Sequence, residues 1–227
     1  MSLQIAVDGP VAAGKGSVAR LVAQRLKMLY IDTGAMYRMV ALLAKRHNIE
    51  LSSESELTEL IKQTKMEMRN PTEDELDGRL ITVLMDGEDV SWAIRTEEVG
   101  VDAAKVAALA KVRATLVEKQ QLIAANQDVV MEGRDITYKV LPNAQLKIFL
   151  TASPETRAKR RLLGLQSRGH DVTFEQVYQD LLDRDKLDTE RAADPLKVVE
   201  GAWVLDTSNL NIDEVVELIT ERAKHLK

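Results

Sequence analysis

Hydrophobic positions along the chain follow two alternating patterns. Five short apolar runs, Leu3–Val7, Met28–Ile31, Asp128–Met131, Leu146–Leu150 and Ala202–Leu205, read as buried strands, and between them apolar residues recur at helical intervals. Val18, Leu21, Val22 and Leu26 form the first helical stripe, and Met36, Met39, Val40 and Leu43 form a second that ends near Asn48. Leu57, Leu60 and Ile61 form a third, with Ser53-x-x-Glu56 as a capping box and an end near Lys65. Thr96 opens a long helical region reaching about Asn126, and Gly100 together with a drifting apolar stripe predicts two helices there. Ser153-Pro154-Glu155, Thr173-x-x-Gln176 and Asn211-x-x-Glu214 each start a further helix. Residues 66–95 break the rhythm: the alternation at Leu80–Met85 and the Asp86-Gly87 turn predict short antiparallel strands. The whole reads as an α/β chain, one domain over 1–227, with a five-stranded parallel sheet and a small antiparallel β insertion.

Composition narrows the classes. With 45% hydrophobic and 30% charged residues the chain is an ordinary globular one, and with no cysteine it has neither disulfides nor thiolate metal sites, which suits a cytoplasmic location. The three histidines, His47, His170 and His225, lack metal-ligand spacing and read as surface residues. No run approaches the roughly 20 apolar residues of a membrane span, and the N-terminus shows no secretory signal pattern. A formal charge of −5 argues against a general nucleic-acid binder, so basic residues that bind anions must act locally.

One such place follows the first strand. Gly9-Pro10-Val11-Ala12-Ala13-Gly14-Lys15-Gly16-Ser17 has the G-x-x-x-x-G-K spacing of a phosphate-binding loop between a strand and a helix. Backbone N–H groups, the positive end of the helix dipole and the lysine ammonium converge there, so a polyphosphate is the natural ligand. Position 16 is glycine and the hydroxyl comes one residue later at Ser17, a form that resembles nucleotide kinases more than motor ATPases or GTPases. Elsewhere Tyr37 and Arg38 lie in a first helical turn near a strand end, and Arg157, Arg160 and Arg161 share a helix face, where they repel unless an anion sits among them. Gly164 and Ser167-Arg168-Gly169 loosen that helix end as a mobile segment requires. Arg113 reads by position as a surface charge, and Arg184, Asp188 and Arg191 cluster at the border of a buried face, as a salt-bridge ladder or a cleft wall.

Taken in order, the loop at 9–17, Asp32-Thr33-Gly34-Ala35-Met36-Tyr37-Arg38, Asp86-Gly-Glu-Asp-Val90 with Ile94-Arg-Thr-Glu-Glu-Val99, Gly133-Arg134-Asp135 and Arg184-Asp-x-x-Asp188-x-x-Arg191 resemble the bacterial cytidylate kinases over nearly the whole chain. The resemblance implies a three-layer P-loop kinase fold with a nucleoside-monophosphate-binding insertion at about 34–126, its β-rich part at about 66–95, and a helical lid at about 153–172. It implies ATP-dependent phosphorylation of CMP and dCMP with Mg²⁺, in a monomer that binds small nucleotides and neither nucleic-acid polymers nor membranes. Residues 9–17 would hold ATP, and Arg157, Arg160 and Arg161 would close over the transferring group. Arg38, Arg134, Arg184 and Arg191 would handle phosphates, Thr33 and Tyr37 would line the acceptor site, and Asp188 would take the ribose. Arg113 and Asp135 would read cytosine, and Ser17 and Asp32, with Glu132, would serve the metal directly or through water.

Two departures stand out. The family often has a serine where this chain has Ala104, and a glycine where it has Thr137, followed here by Tyr138. Ala104 loses the base contact of that serine and threonine tolerates positive φ badly, which together predict an altered backbone path after Asp135 and weaker cytosine selectivity. Without the resemblance, a kinase for UMP, a nucleoside or another metabolite stays open. So does a nucleotide-dependent switch, although neither Asn-Lys-x-Asp nor Asp-x-x-Gly is present.

Overall fold

The computed structural model describes residues 2–75, 77–167 and 169–226. β1 (Gln4–Asp8), β2 (Leu29–Asp32), β6 (Val129–Gly133), β7 (Leu146–Thr151) and β8 (Trp203–Asp206) form one parallel sheet in the order β2-β6-β1-β7-β8. Ile5 lies between Val130 on one side and Leu146 on the other; β1 and β6 are almost entirely buried, as strands covered on both faces require, while β7 alternates buried and half-buried residues. The chain leaves β1 towards β2 and leaves β6 in the opposite direction towards β7. Their C-terminal ends therefore bound the crevice in which open α/β sheets take ligands.

α1 (Lys15–Leu26) joins β1 to β2, and α8 (Ile212–Lys224) packs beside it. Between β2 and β6 come α2 (Thr33–Arg46), α3 (Glu54–Gln63), the antiparallel strands β3 (Met66–Arg69), β4 (Thr82–Met85) and β5 (Glu88–Asp89), then α4 (Glu97–Val106) and α5 (Ala110–Ala124). The turn between β4 and β5 has both Asp86 (φ 52°) and Gly87 (φ 86°) left-handed, as a tight hairpin demands. Asn70 seals the insertion to the edge of the main sheet: its side chain accepts from Tyr30 N (3.1 Å) and donates to Met28 O (3.0 Å), supplying β2 with a substitute for a neighbouring strand. Leu57, Ile61, Val83 and Leu116 are buried in the same core as Ile5 and Val130, so the insertion shares the hydrophobic interior of the sheet.

Four local expectations change. Ser53 makes no side-chain cap at the start of α3, so the Ser53/Glu56 box does not form. The 97–124 region does divide, but at residues 107–109; Gly100 lies inside α4. α2 and α3 stop at Arg46 and Gln63, short of Asn48 and Lys65. Thr137 is not among the positive-φ residues, and Ile136–Val140 form a π-helical turn. The caps by Thr96, Ser153, Thr173 and Asn211 are present, the last two as complete capping boxes.

α6 (Pro154–Gln166) and α7 (Phe174–Glu190) form a hairpin with a small cluster of its own, Ala158, Val177 and Leu181, against which Val11 and Ala12 of the first loop pack. α6 continues through Gly164; Arg168 lies outside the described residues.

Candidate active site

β1 drives the chain into residues 9–14, where steric demands are narrow. A Cβ on Gly9 would overlap the Leu150 carbonyl oxygen, and Gly14 caps α1 in a left-handed conformation (φ 88°, ψ 11°) with no side chain on the helix N-terminus. Lys15, 6% exposed, turns back to donate to Pro10 O at 2.9 Å. Burial, and after it the nearby Arg134 guanidinium, lowers the Lys15 pKa to about 7. A Cβ on Gly16 would stand 3.1 Å from Glu132 Oε1 and 3.2 Å from the Tyr30 hydroxyl, so the space beside the helix start is already filled by those two groups. Burial raises the Glu132 pKa, with the neighbouring Asp32 adding to it.

Asp8, fully buried at the end of β1, accepts from Ile136 N (2.9 Å), Thr137 N (2.8 Å) and Thr137 Oγ1 (2.6 Å). The threonine at the family's glycine position thus adds a hydroxyl bond without backbone strain. It ties the base of the loop to the turn that presents Arg134 and Asp135. From the other side, Arg157 donates to Ala152 O and Val11 O (both 3.0 Å) and pairs with Asp185 at 2.7 Å. Arg157 is therefore buried as a buttress of the loop and does not stand free on a common face with Arg160 and Arg161. Arg160 donates to Thr207 Oγ1 (2.9 Å) and Thr207 O (2.7 Å), which leaves Arg161 exposed. Arg160 and Arg161 form one wall of a cavity of about 470 Å³ whose other walls are Gly14 and Ser17 and the Thr207–Ile212 loop.

A second group of cations faces the crevice. Arg134 Nε donates to Asp188 Oδ2 at 2.7 Å, and Arg184 Nε lies 3.5 Å from Asp188 Oδ1. Asp188 is buried, yet these two arginines hold its carboxyl below the usual range. Arg38 donates to Ile94 O (3.1 Å) and lies over Gly100, where a Cβ would come within 3.0 Å of its Nη1. Burial and then Arg95 lower its pKa. Arg95 itself pairs with Asp32 at 2.8 Å.

Beside these, Arg113 is only 1% exposed, far from the surface charge its position suggests. It pairs with Asp135 through Nη2, and its guanidinium carbon lies 5.6 Å from the centre of the Tyr37 ring. Arg191 approaches Asp135 at 3.8 Å. Burial raises the Asp135 carboxyl pKa, against the opposing pull of Arg113. Thr33 donates its hydroxyl to Glu132 O at 2.7 Å, fixing the start of α2 to β6.

The oxygen donors suit a hard cation that keeps most of its water. Ser17 is exposed on the cavity wall and Glu132 stands near the helix start, while Asp32 is engaged by Ala35 N and Arg95. Among the described residues no three His, Asp or Glu side chains converge as metal ligands. Nor is any described helix long and apolar enough to cross a membrane.

Sequence reasoning assigned no role to Asp8, Asp185, Arg95, Asp194 or Thr207. Asp185 and Arg95 lie inside motifs quoted above and could have been found there; Asp8, Asp194 and Thr207 are recognisable only once distant segments meet.

A sequence model of the family described as cytidylate kinase matches residues 5–225. The chain is 44% identical to the cytidylate kinase of Lysinibacillus sphaericus, covering 98% of this chain and 97% of the relative. It is 44% identical to that of Bacillus subtilis, covering 96% and 95%. In fold it resembles an uncharacterised protein from Eubacterium ventriosum, at 9% identity and a TM-score of 0.52 over 98% of this chain and 99% of that one. On these grounds the chain belongs to the cytidylate kinase family and is a phosphotransferase of the nucleoside-monophosphate kinase type.

Proposed function

We propose that the protein transfers the terminal phosphoryl group of ATP to CMP and dCMP. The observation that carries this reading is the buried Arg113–Asp135 pair against Tyr37, adjoining the arginines around Asp188. A carboxylate accepts from the exocyclic amino group of cytosine while an arginine donates to its ring nitrogen and carbonyl. Uracil would turn a carbonyl towards the carboxylate and leave both unpaired.

The triphosphate of ATP binds at the uncapped start of α1 and against Lys15, and its nucleoside occupies the cavity walled by Arg160, Arg161 and the Thr207–Ile212 loop. The acceptor phosphate meets Arg38, Arg134 and Arg184, with Arg191 adjoining. Asp188, now held by two of these arginines, accepts from the ribose as they turn to the phosphate. The attacking oxygen is already anionic near neutral pH, so no strong base is needed; alignment and charge neutralisation supply the acceleration. Arg157 keeps the loop in shape, and Arg161, exposed on α6, is free to swing onto the transferring group. Ser17, with Glu132 through water, would hold Mg²⁺, while Asp32 positions Arg95. When bound, the ion neutralises phosphate charge.

A panel of CMP, dCMP, UMP, AMP and nucleosides, assayed with ATP by coupled ADP release, tests the reading. Preference for an acceptor without cytosine would refute it. Lys15→Ala and Arg134→Ala are each expected to lower turnover at least about a hundredfold while circular dichroism stays unchanged. Near-normal CMP phosphorylation by either variant would remove its assigned role.

A further inference from the structure

The segment after α7 carries a carboxylate that phosphoryl transfer does not use. Asp194, in a left-handed conformation (φ 48°), places Oδ2 3.2 Å from Arg113 Nε and Oδ1 3.2 Å from Lys139 Nζ. Its carbonyl oxygen accepts from Arg191 Nε at 2.8 Å and also from Arg191 Nη2. Neighbouring bonds pin the same segment: Tyr138 donates its hydroxyl to Pro195 O (2.6 Å), and Leu196 N donates to Asp188 O (2.8 Å). Asp194 thus joins the helix that carries Arg113 to the turn after Asp135.

The arrangement answers a difficulty in reading a base between Arg113 and Asp135. These two residues bond each other directly, so a base can enter only if that contact is exchanged for contacts to the base. Arg113 is buried, and among the described residues its one acceptor besides Asp135 and Asp194 is Ala107 O at 3.3 Å. Without Asp194, release of Asp135 would strand a buried guanidinium with no counter-ion, a strongly unfavourable state. Asp135 would also be the one carboxylate bonded to Arg113 among the described residues, with Arg191 3.8 Å away, and would be held too firmly to accept from the base.

Resting on the assignment of Arg113 and Asp135 as base readers, we propose that Asp194 is a positioning residue for acceptor selection. It keeps Arg113 paired and oriented while Asp135 exchanges the arginine for the base. A bond at a second guanidinium nitrogen makes that exchange possible.

Steady-state kinetics with ATP as donor and CMP or UMP as acceptor test this on Asp194→Asn and Arg113→Met. For Asp194→Asn the KM for CMP is expected to rise at least about tenfold, with kcat and the KM for ATP little changed, and the CMP/UMP ratio of kcat/KM to fall at least about fivefold. If Asp194→Asn leaves both quantities within about twofold while Arg113→Met collapses them, the proposal fails and the base-reading assignment stands. If Arg113→Met also leaves the CMP preference intact, the assignment itself fails, and the proposal with it. An equal loss of kcat for every acceptor with an unchanged ratio marks a merely structural role and overturns the proposal. Should Asp194→Asn not fold, Lys139→Met gives the second arm. It leaves the Asp194 carboxylate to Arg113, so the KM for CMP should stay within about twofold; a tenfold rise would place the effect in the lysine tie and overturn the proposal.

Discussion

Lys15 is enclosed by the loop it terminates, and its amino group rests on the Pro10 carbonyl. With its pKa lowered to about 7 by burial and Arg134, the side chain is largely neutral in the free protein above that pH. A polyanion favours the charged form and raises the pKa again. ATP binding at pH 8 is therefore expected to take up about one proton, and affinity to fall as pH rises above about 7, because the binding form must first be protonated. Titration calorimetry in buffers of different ionisation enthalpy checks this, and Lys15→Ala should abolish the uptake. Gly14, Lys15 and their spacing were legible in the sequence because the geometry is local. Arg157 was not: its partners Val11 and Asp185 lie far along the chain in either direction, so it read as one of three equivalent arginines.

Helices α2 and α4 pack together, and their contact sets the position of Arg38. Gly100 gives that guanidinium its bed, although by sequence the glycine looked like a helix break. Gly100→Ala is expected to stabilise α4 by up to about 1 kcal/mol, since alanine is the better helix former. The same methyl group would push Arg38 off its place and raise the KM for CMP about five- to tenfold. Urea unfolding and acceptor kinetics on the same preparation separate the two effects. A similar division runs through the other elements. Thr173 and Asn211 were readable as caps because a capping box closes within four residues, whereas the Ser53 box fails although its sequence fits. Near that helix start, Glu54 accepts from Lys111 N at 2.6 Å, a contact with α5 that no local pattern contains.

At the scale of the molecule, an acidic chain concentrates cations in one crevice. Lys15, Arg38, Arg95, Arg134 and Arg184 interact there, with Asp32, Glu132 and Asp188 as partial counterweights. Such a field attracts nucleotides and is screened by salt. The KM for CMP is expected to rise at least about threefold between about 0.05 and 0.5 M KCl, with a smaller change in kcat. Kinetics at fixed pH measure it, and a KM independent of salt would contradict it. The α6–α7 hairpin has its own small apolar cluster, separate from the main core, with Val11 and Ala12 of the first loop packed against it.

The sequence by itself determined the alternation of strands and helices, the antiparallel insertion, the phosphate loop and most helix starts. These follow from periodicity, caps and turns that act over a few residues. Its ordered motifs also pointed to the family. Only the tertiary structure decided which charges are buried and with whom. Arg113 became an interior residue held by Asp135 and Asp194, Asp8 an anchor for Thr137, and Asp188 the meeting point of Arg134 and Arg184. Apart from Arg184–Asp188, one turn apart on α7, those pairings join segments tens to more than a hundred residues apart. A charge's energy depends on the neighbours that burial selects, and in the sequence those neighbours are distant.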